Sequence, residues 1–220
     1  MIEGFHDSKF IRRSWLCEAK FCILLWRLCC LALVVDVSSF PVPLRSLSAN
    51  VVGVATWRIR YDAGPRGLRV GLYSVDSGSL IAFSSFMFDF DSVDPSFQNV
   101  REYMGYLLGL VLVCVSQRRV QGLRLAIESD NVSSIAWILK KISNSAVSQV
   151  VLLAITWITL RRQFVVVSVN HIPGSTMGAI DALSRGLPHD LDPSLYVELQ
   201  TVVAVRDLFS LCNRRCLERW

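Results

Sequence analysis

Charge is scarce in this chain of 220 residues: charged side chains make up 19% of it, against 52% hydrophobic. So apolar a composition excludes disorder over most of the length, because there is ample surface to bury. No run reaches the roughly 20 apolar residues that a membrane span requires. The longest, Phe21 to Val35 (FCILLWRLCCLALVV), stops at 15 residues and carries Arg27 in its middle. Its second half, followed by Asp36-Val37-Ser38-Ser39, bears a faint likeness to a signal-peptide core and cleavage site, but Glu3, Asp7 and Glu18 precede it. The run is read as a helix that packs on another protein segment, and no membrane association is expected. Internal repeats and low-complexity segments are absent. So is a disulfide framework. The seven cysteines (17, 22, 29, 30, 114, 212 and 216) are odd in number, and none lies between Val51 and Gln98. That pattern fits reduced thiols and a cytoplasmic or nuclear setting. Cys212 and Cys216 have a spacing zinc could use, but no second pair follows to close a tetrahedral site.

What is present is organised around one break. Pro41-Val-Pro43 separates the apolar N-terminal extension and its linker, residues 1–50, from a region of different pattern, residues 51–187. Residues 188–220 read as a helical tail. The net charge of +5 and pI of about 8.9 are compatible with a polyanionic partner without requiring one.

In the central region, Val51 to Arg60 reads as a strand, with Asp62 to Gly67 as the turn that ends it. Leu68 to Tyr73 and Leu80 to Phe88 complete a three-stranded meander. Val100, Tyr103, Leu107, Leu110, Val111 and Cys114 recur at helical spacing, predicting a helix over Asn99 to Gln117. A strand (Leu123 to Glu128), two helices (Val132 to Ile142 and Val150 to Arg162), a strand (Phe164 to Asn170) and a last helix (Met177 to Arg185) follow. The expected fold is α/β: a mixed five-stranded sheet, three antiparallel strands then parallel ones, with helices on both faces.

Acidic residues are sparse here, and four stand at informative places. Asp62 ends the first strand, Asp130 ends the fourth, Glu102 lies early in the long helix, and Asp181 lies in the last helix. Neighbouring central strands can bring Asp62 and Asp130 side by side, with Glu102 and Asp181 added by helices that cross the strand ends. Carboxylates gathered there repel one another unless cations neutralise them. An all-oxygen donor set suits Mg²⁺ or Mn²⁺ rather than zinc, and two such ions can drive phosphodiester hydrolysis. Each residue also has a bland account. Asp62 could be a turn residue, Asp130 a helix cap shared with Asn131, Glu102 a partner of the helix dipole, and Asp181 a solvated position.

The order Asp, Glu, Asp, Asp on strand, helix, strand and helix resembles the ribonuclease H family. The local words are similar to those of retroelement reverse transcriptases of the DIRS-like or gypsy-like kind. They are Trp57-Arg-Ile-Arg-Tyr-Asp62-Ala-Gly-Pro-Arg-Gly67, Gln98-Asn-Val-Arg-Glu102, Ser129-Asp130-Asn131, His171-Ile-Pro-Gly174 and Asp181-Ala-Leu-Ser-Arg185. The resemblance covers about residues 52–186. It implies an RNase H-like fold and a metal-dependent endonuclease acting on the RNA strand of RNA–DNA hybrids. Catalytic and metal-binding roles would fall to Asp62, Glu102, Asp130 and Asp181, with two Mg²⁺ or Mn²⁺ ions. Asn131, Lys140, Lys141, His171 and Arg185 would contact nucleic acid. No Tyr-x-Asp-Asp palm motif is present, so a polymerase domain would be absent or encoded elsewhere.

There are departures. Gly64 stands where Ser is usual, and Ser175-Thr176 occupy the place of a mobile histidine. A rival alignment on Gly53-Val54-Ala-Thr56 would put Val54 in place of the first Asp and describe a dead enzyme; the Asp62 strand with its glycine turn fits better. Lys140-Lys141, Arg118-Arg119 and Arg161-Arg162 are either solvated helix ends or phosphate contacts. Two other functions stay open: an inactive RNase H-like interaction module, and a DNA-acting nuclease or integrase of the same fold.

Overall fold

A computed structural model of the chain describes residues 53–64, 67–87, 98–117, 122–140, 146–184 and 190–199. The apolar run at 21–35, the cysteine pair at 212 and 216, Arg118, Arg119, Lys141 and Arg185 lie outside them. Among the described residues, no helix is long and apolar enough to cross a membrane.

The elements follow the expected order. Strands β1 (Trp57–Gly64), β2 (Gly67–Ser74) and β3 (Leu80–Met87) form the antiparallel meander. Helix α1 (Gln98–Ser116) leads to β4 (Arg124–Ser129), then to α2 (Val132–Lys140) and α3 (Ala146–Arg162). Strand β5 (Val165–His171), a single 3-10 turn (Gly174–Thr176) and α4 (Ala179–Ser184) follow. The five strands form one sheet in the order β3-β2-β1-β4-β5, with β4 parallel to both β1 and β5.

Alternation along the strands divides the sheet into two unlike faces. Ile59, Tyr61, Leu68, Val70, Leu72, Leu125 and Ile127 are fully buried in the main core. Helix α1 lies directly over them. A Cβ on Gly105 would come 2.6 Å from the Tyr61 ring, and one on Gly109 would come 2.4 Å from Ile59. Glycine is required at both by this close approach of helix to strand. On the other face α4 covers β1 and β2, and Ile180 packs with Phe83 and Met177 in a second, smaller core. Gly71 leaves the space that Ile180 enters.

Three local readings are corrected. Strand β1 starts six residues later than expected and runs through Asp62 to Gly64, because β2 pairs with it as far as Gly64↔Gly67. Asp62 is a strand residue, as expected, with two more strand residues beyond it. Helix α3 begins at Ala146, four residues before the Val150 start expected from the sequence. Residues 190–199, assigned from the sequence to a helical tail, instead lie against the domain. Tyr196 bridges to Phe83 in the β3 edge, the Val197 N–H donates to the Phe83 carbonyl at 2.8 Å, and Leu199 is buried in the main core.

Candidate active site

The end of β1 positions the site. Strands β1 and β4 pair in register as far as Arg60↔Glu128, and two residues further along each chain stand Asp62 and Asp130. Asp62 alternates with the buried Tyr61 and so belongs to the α4 face. Helix α1 starts beside this strand end, and its side chains take the backbone groups of Ala63. The Ala63 N–H donates to Glu102 Oε1 at 3.3 Å, and Gln98 Nε2 donates to the Ala63 carbonyl. Gln98 also donates to Glu102 Oε1 at 2.9 Å, so that oxygen is fixed by two donors.

The result is a convergence of three carboxylates. Ligand oxygens of Asp62, Glu102 and Asp130 all lie within 4.8 Å of one another. Asp62 and Glu102 are buried, at 7% and 2% exposed. Burial above all, then the charges of Asp62 and Asp130, pushes the Glu102 carboxyl well above its ordinary range. Its second oxygen, Oε2, is buried without a hydrogen-bond partner. An orphaned carboxylate oxygen among converging carboxylates is costly to a metal-free fold. Both the donor chemistry and that orphan fit a hard divalent cation.

Asp130 is held through its backbone surroundings. His171 Nε2 lies 3.0 Å from the Asp130 carbonyl, and Asp130 Oδ2 would sit 3.0 Å from a Cβ on Gly174. The capping function falls to Asn131: its Oδ1 accepts from the Ser134 N–H at 2.8 Å, and its Nδ2 donates to Asn99 Oδ1 at 3.2 Å. Asp130 is thus not the α2 cap, and Glu102 lies beyond the first turn of α1. Both bland accounts fail on geometry. Val54, the residue of the rival alignment, is 77% exposed ahead of β1.

Asp181 does not join the group of three. It lies in the first turn of α4, half-buried. Ile180 is turned to the sheet, and one residue further round a helix is about 100° away. Lys140 is exposed at the last position of α2, the opposite end from the Asn131 cap.

Several contributors were missed. Gln98 stood within a quoted motif without a role, although an amide four residues before Glu102 is one helical turn away. Arg69 is the cross-strand partner of Asp62 and is only 8% exposed. Arg58 and Arg60 pair with Glu128 at 3.0 and 2.7 Å, and Arg60 also lies over the Tyr73 ring. No sequence periodicity announces these, since each depends on which strands become neighbours.

A mixed sheet in this order, three antiparallel strands continued by two parallel ones and flanked by helices, is the RNase H-like fold. A solved structure agrees. LC11-RNase H1 in complex with an RNA/DNA hybrid superposes with a TM-score of 0.51 at 17% identity, over 60% of this chain and 95% of that one. RNase H1 from the halophilic archaeon Halobacterium salinarum NRC-1 is similar at 16% identity over 55% and 88% of the two chains, with a TM-score of 0.41. No family model matches the chain, and no curated protein sequence does.

Proposed function

We propose that this chain is a metal-dependent endonuclease that hydrolyses the RNA strand of RNA–DNA hybrids and derives from a reverse-transcribing element. The observation that carries the reading is the convergence of Asp62, Glu102 and Asp130, with Glu102 Oε2 buried and unpartnered. The RNase H-like fold supports it, as does the hybrid bound by LC11-RNase H1. The element origin rests on the motifs around the four acidic residues, and the partners would be the hybrid and a polymerase domain encoded elsewhere. The setting is cytoplasmic or nuclear.

Asp62, Glu102 and Asp130 would hold Mg²⁺ or Mn²⁺, which when bound supplies Lewis-acid activation of water and of the scissile phosphate. Asp181 is proposed as a fourth carboxylate, because α4 lies over the sheet face to which Asp62 belongs. The chain's own residues set the geometry. Gln98 and the Ala63 amide fix one oxygen of Glu102, which leaves the other without a protein partner. The Asn131 cap and the His171 contact to the Asp130 carbonyl hold the backbone that follows the Asp130 carboxylate. Asn131, His171, Lys140, Lys141 and Arg185 are the proposed contacts to nucleic acid, read by groove shape and 2′-hydroxyls rather than by base sequence.

The test is a substrate panel at fixed Mg²⁺ or Mn²⁺: hybrid, duplex RNA and duplex DNA of one sequence. Cleavage confined to the RNA strand of the hybrid is expected. Preferential cleavage of duplex DNA would instead identify a DNA-acting nuclease or integrase. No cleavage of any substrate, with no metal uptake, would identify an inactive interaction module.

A further inference from the structure

Across the strands from one of the three carboxylates stands a cation that the motifs do not assign. Arg69 is paired across the strands with Asp62, on the same face of the sheet. Its side chain is buried among backbone groups. Nη1 donates to the Leu68 carbonyl at 2.7 Å and to the Phe86 carbonyl at 3.3 Å, and Nη2 lies 2.9 Å from Met87 Sδ. The guanidinium folds back over Gly67, where a Cβ would come within 2.7 Å of Nη1. Gly67 faces Gly64 across the hairpin, so along the strand the charge lies toward the end that carries the site, on the β3 side of β2. Nε is buried without a hydrogen-bond partner, so neutral contacts alone do not satisfy this group.

We propose that Arg69 is a fixed internal cation of the carboxylate site: it offsets part of the negative charge centred on Asp62 and thereby weakens the site's hold on a divalent cation. Three converging carboxylates alone would carry a charge that a metal-free fold accommodates poorly. A buried guanidinium has the complementary difficulty, since a charge removed from water needs a counter-charge. The cross-strand register answers both. Burial holds the Arg69 guanidinium below its ordinary range, and Tyr196, then the Asp62 charge, counter that effect. Arg69 is a positioning residue here, acting through Asp62 rather than on substrate. The proposal rests on the nuclease reading of the site, and its test uses metal and stability rather than cleavage.

The measurements are calorimetric titration with Mn²⁺ alone and melting of the metal-free protein, made on the full chain and on Arg69→Met, Arg69→Lys and Asp62→Asn. Removing the positive charge paired across the strands with Asp62 should tighten Mn²⁺ binding by about tenfold in Arg69→Met. Arg69→Lys should bind like the parent, since it keeps the charge and loses only the fork. Equal Mn²⁺ affinity in Arg69→Met and the parent would overturn the proposal and leave Arg69 as a clamp between β2 and β3. Asp62→Asn decides the matter even if Arg69→Met fails to fold. Its metal-free melting temperature should fall, because Arg69 loses its counter-charge. A rise, as relief of carboxylate repulsion alone would give, would overturn it. A parent that takes up no Mn²⁺ would sink the nuclease reading, while the Asp62→Asn melt would still judge the pairing.

Discussion

Gly105→Ala tests how the fold positions the site. At an exposed helical position, alanine in place of glycine stabilises by roughly 1 kcal/mol. Here the new Cβ would lie 2.6 Å from Tyr61 Cδ2, 3.2 Å from Cγ and 3.3 Å from Cβ. Tyr61 cannot swing aside. It is fully buried, its hydroxyl is 2.7 Å from Ser134 Oγ, and its ring is stacked with Tyr106. Helix α1 must therefore rise by roughly 0.9 Å to restore ordinary van der Waals contact near 3.5 Å. Overpacking of this kind costs about 1–3 kcal/mol. Set against the propensity gain, the net loss should be about 1 kcal/mol. Glu102 stands three residues earlier in α1 and rises with the helix. Displacement of a reacting group by about 1 Å costs up to ~10²-fold in rate. Hybrid cleavage should thus fall by about 10- to 100-fold, more than the stability loss accounts for. Urea denaturation and initial cleavage rates at saturating Mg²⁺ measure both. A variant about 1 kcal/mol more stable than the parent, cleaving at the parental rate, would refute the close-packing argument.

Three further perturbations follow. Glu102 is held above its unfolded value of 4.5, so its contribution to stability is complete below that pH and is lost as pH rises toward the folded value. Metal-free Glu102→Gln should melt higher than the parent at neutral pH and lack that decline; equal slopes from pH 4 to 8 would contradict this. Asn131→Ala should cost about 1 kcal/mol through loss of the α2 cap, with Asn131→Asp near parental in a denaturant melt. Charge reversal of Lys140 and Lys141 should weaken hybrid binding and flatten its salt dependence, and unchanged affinity across a salt series would make them a solvated helix end only.

The mixed sheet and the grouping of Asp62, Glu102 and Asp130 were legible because they rest on patterns that survive in one dimension. Strand alternation, helical spacing and the order of scarce acids gave the meander, the parallel continuation and the meeting of Asp62, Glu102 and Asp130. The extent of β1 was misjudged because glycine and proline after Asp62 read as a turn, whereas pairing with β2 carries the strand through Gly64. The start of α3 was missed because Ser143, Asn144, Ser145 and Ser148 crowd the sequence around it, residues that favour a connection over a helix. Arg69, Gly105 and Gln98 act through long-range neighbours, so their roles appear only once β1, β2 and α1 are adjacent. Asp181 shows the converse: its motif was recognised, yet it stands outside the group of three.

The central claim is that Asp130 belongs to a metal-holding triad rather than to the cap of α2. Asp130→Asn separates the two, since asparagine replaces aspartate well as a cap but removes a charge from the triad. The decisive measurement is cleavage of an RNA-strand-labelled hybrid in Mg²⁺ by the parent and by Asp130→Asn at equal concentration. Cleavage by the parent, lost on chelation and abolished in Asp130→Asn, is the expected result. Parental activity in Asp130→Asn, or no cleavage by the parent at any Mg²⁺ or Mn²⁺ concentration, would contradict it.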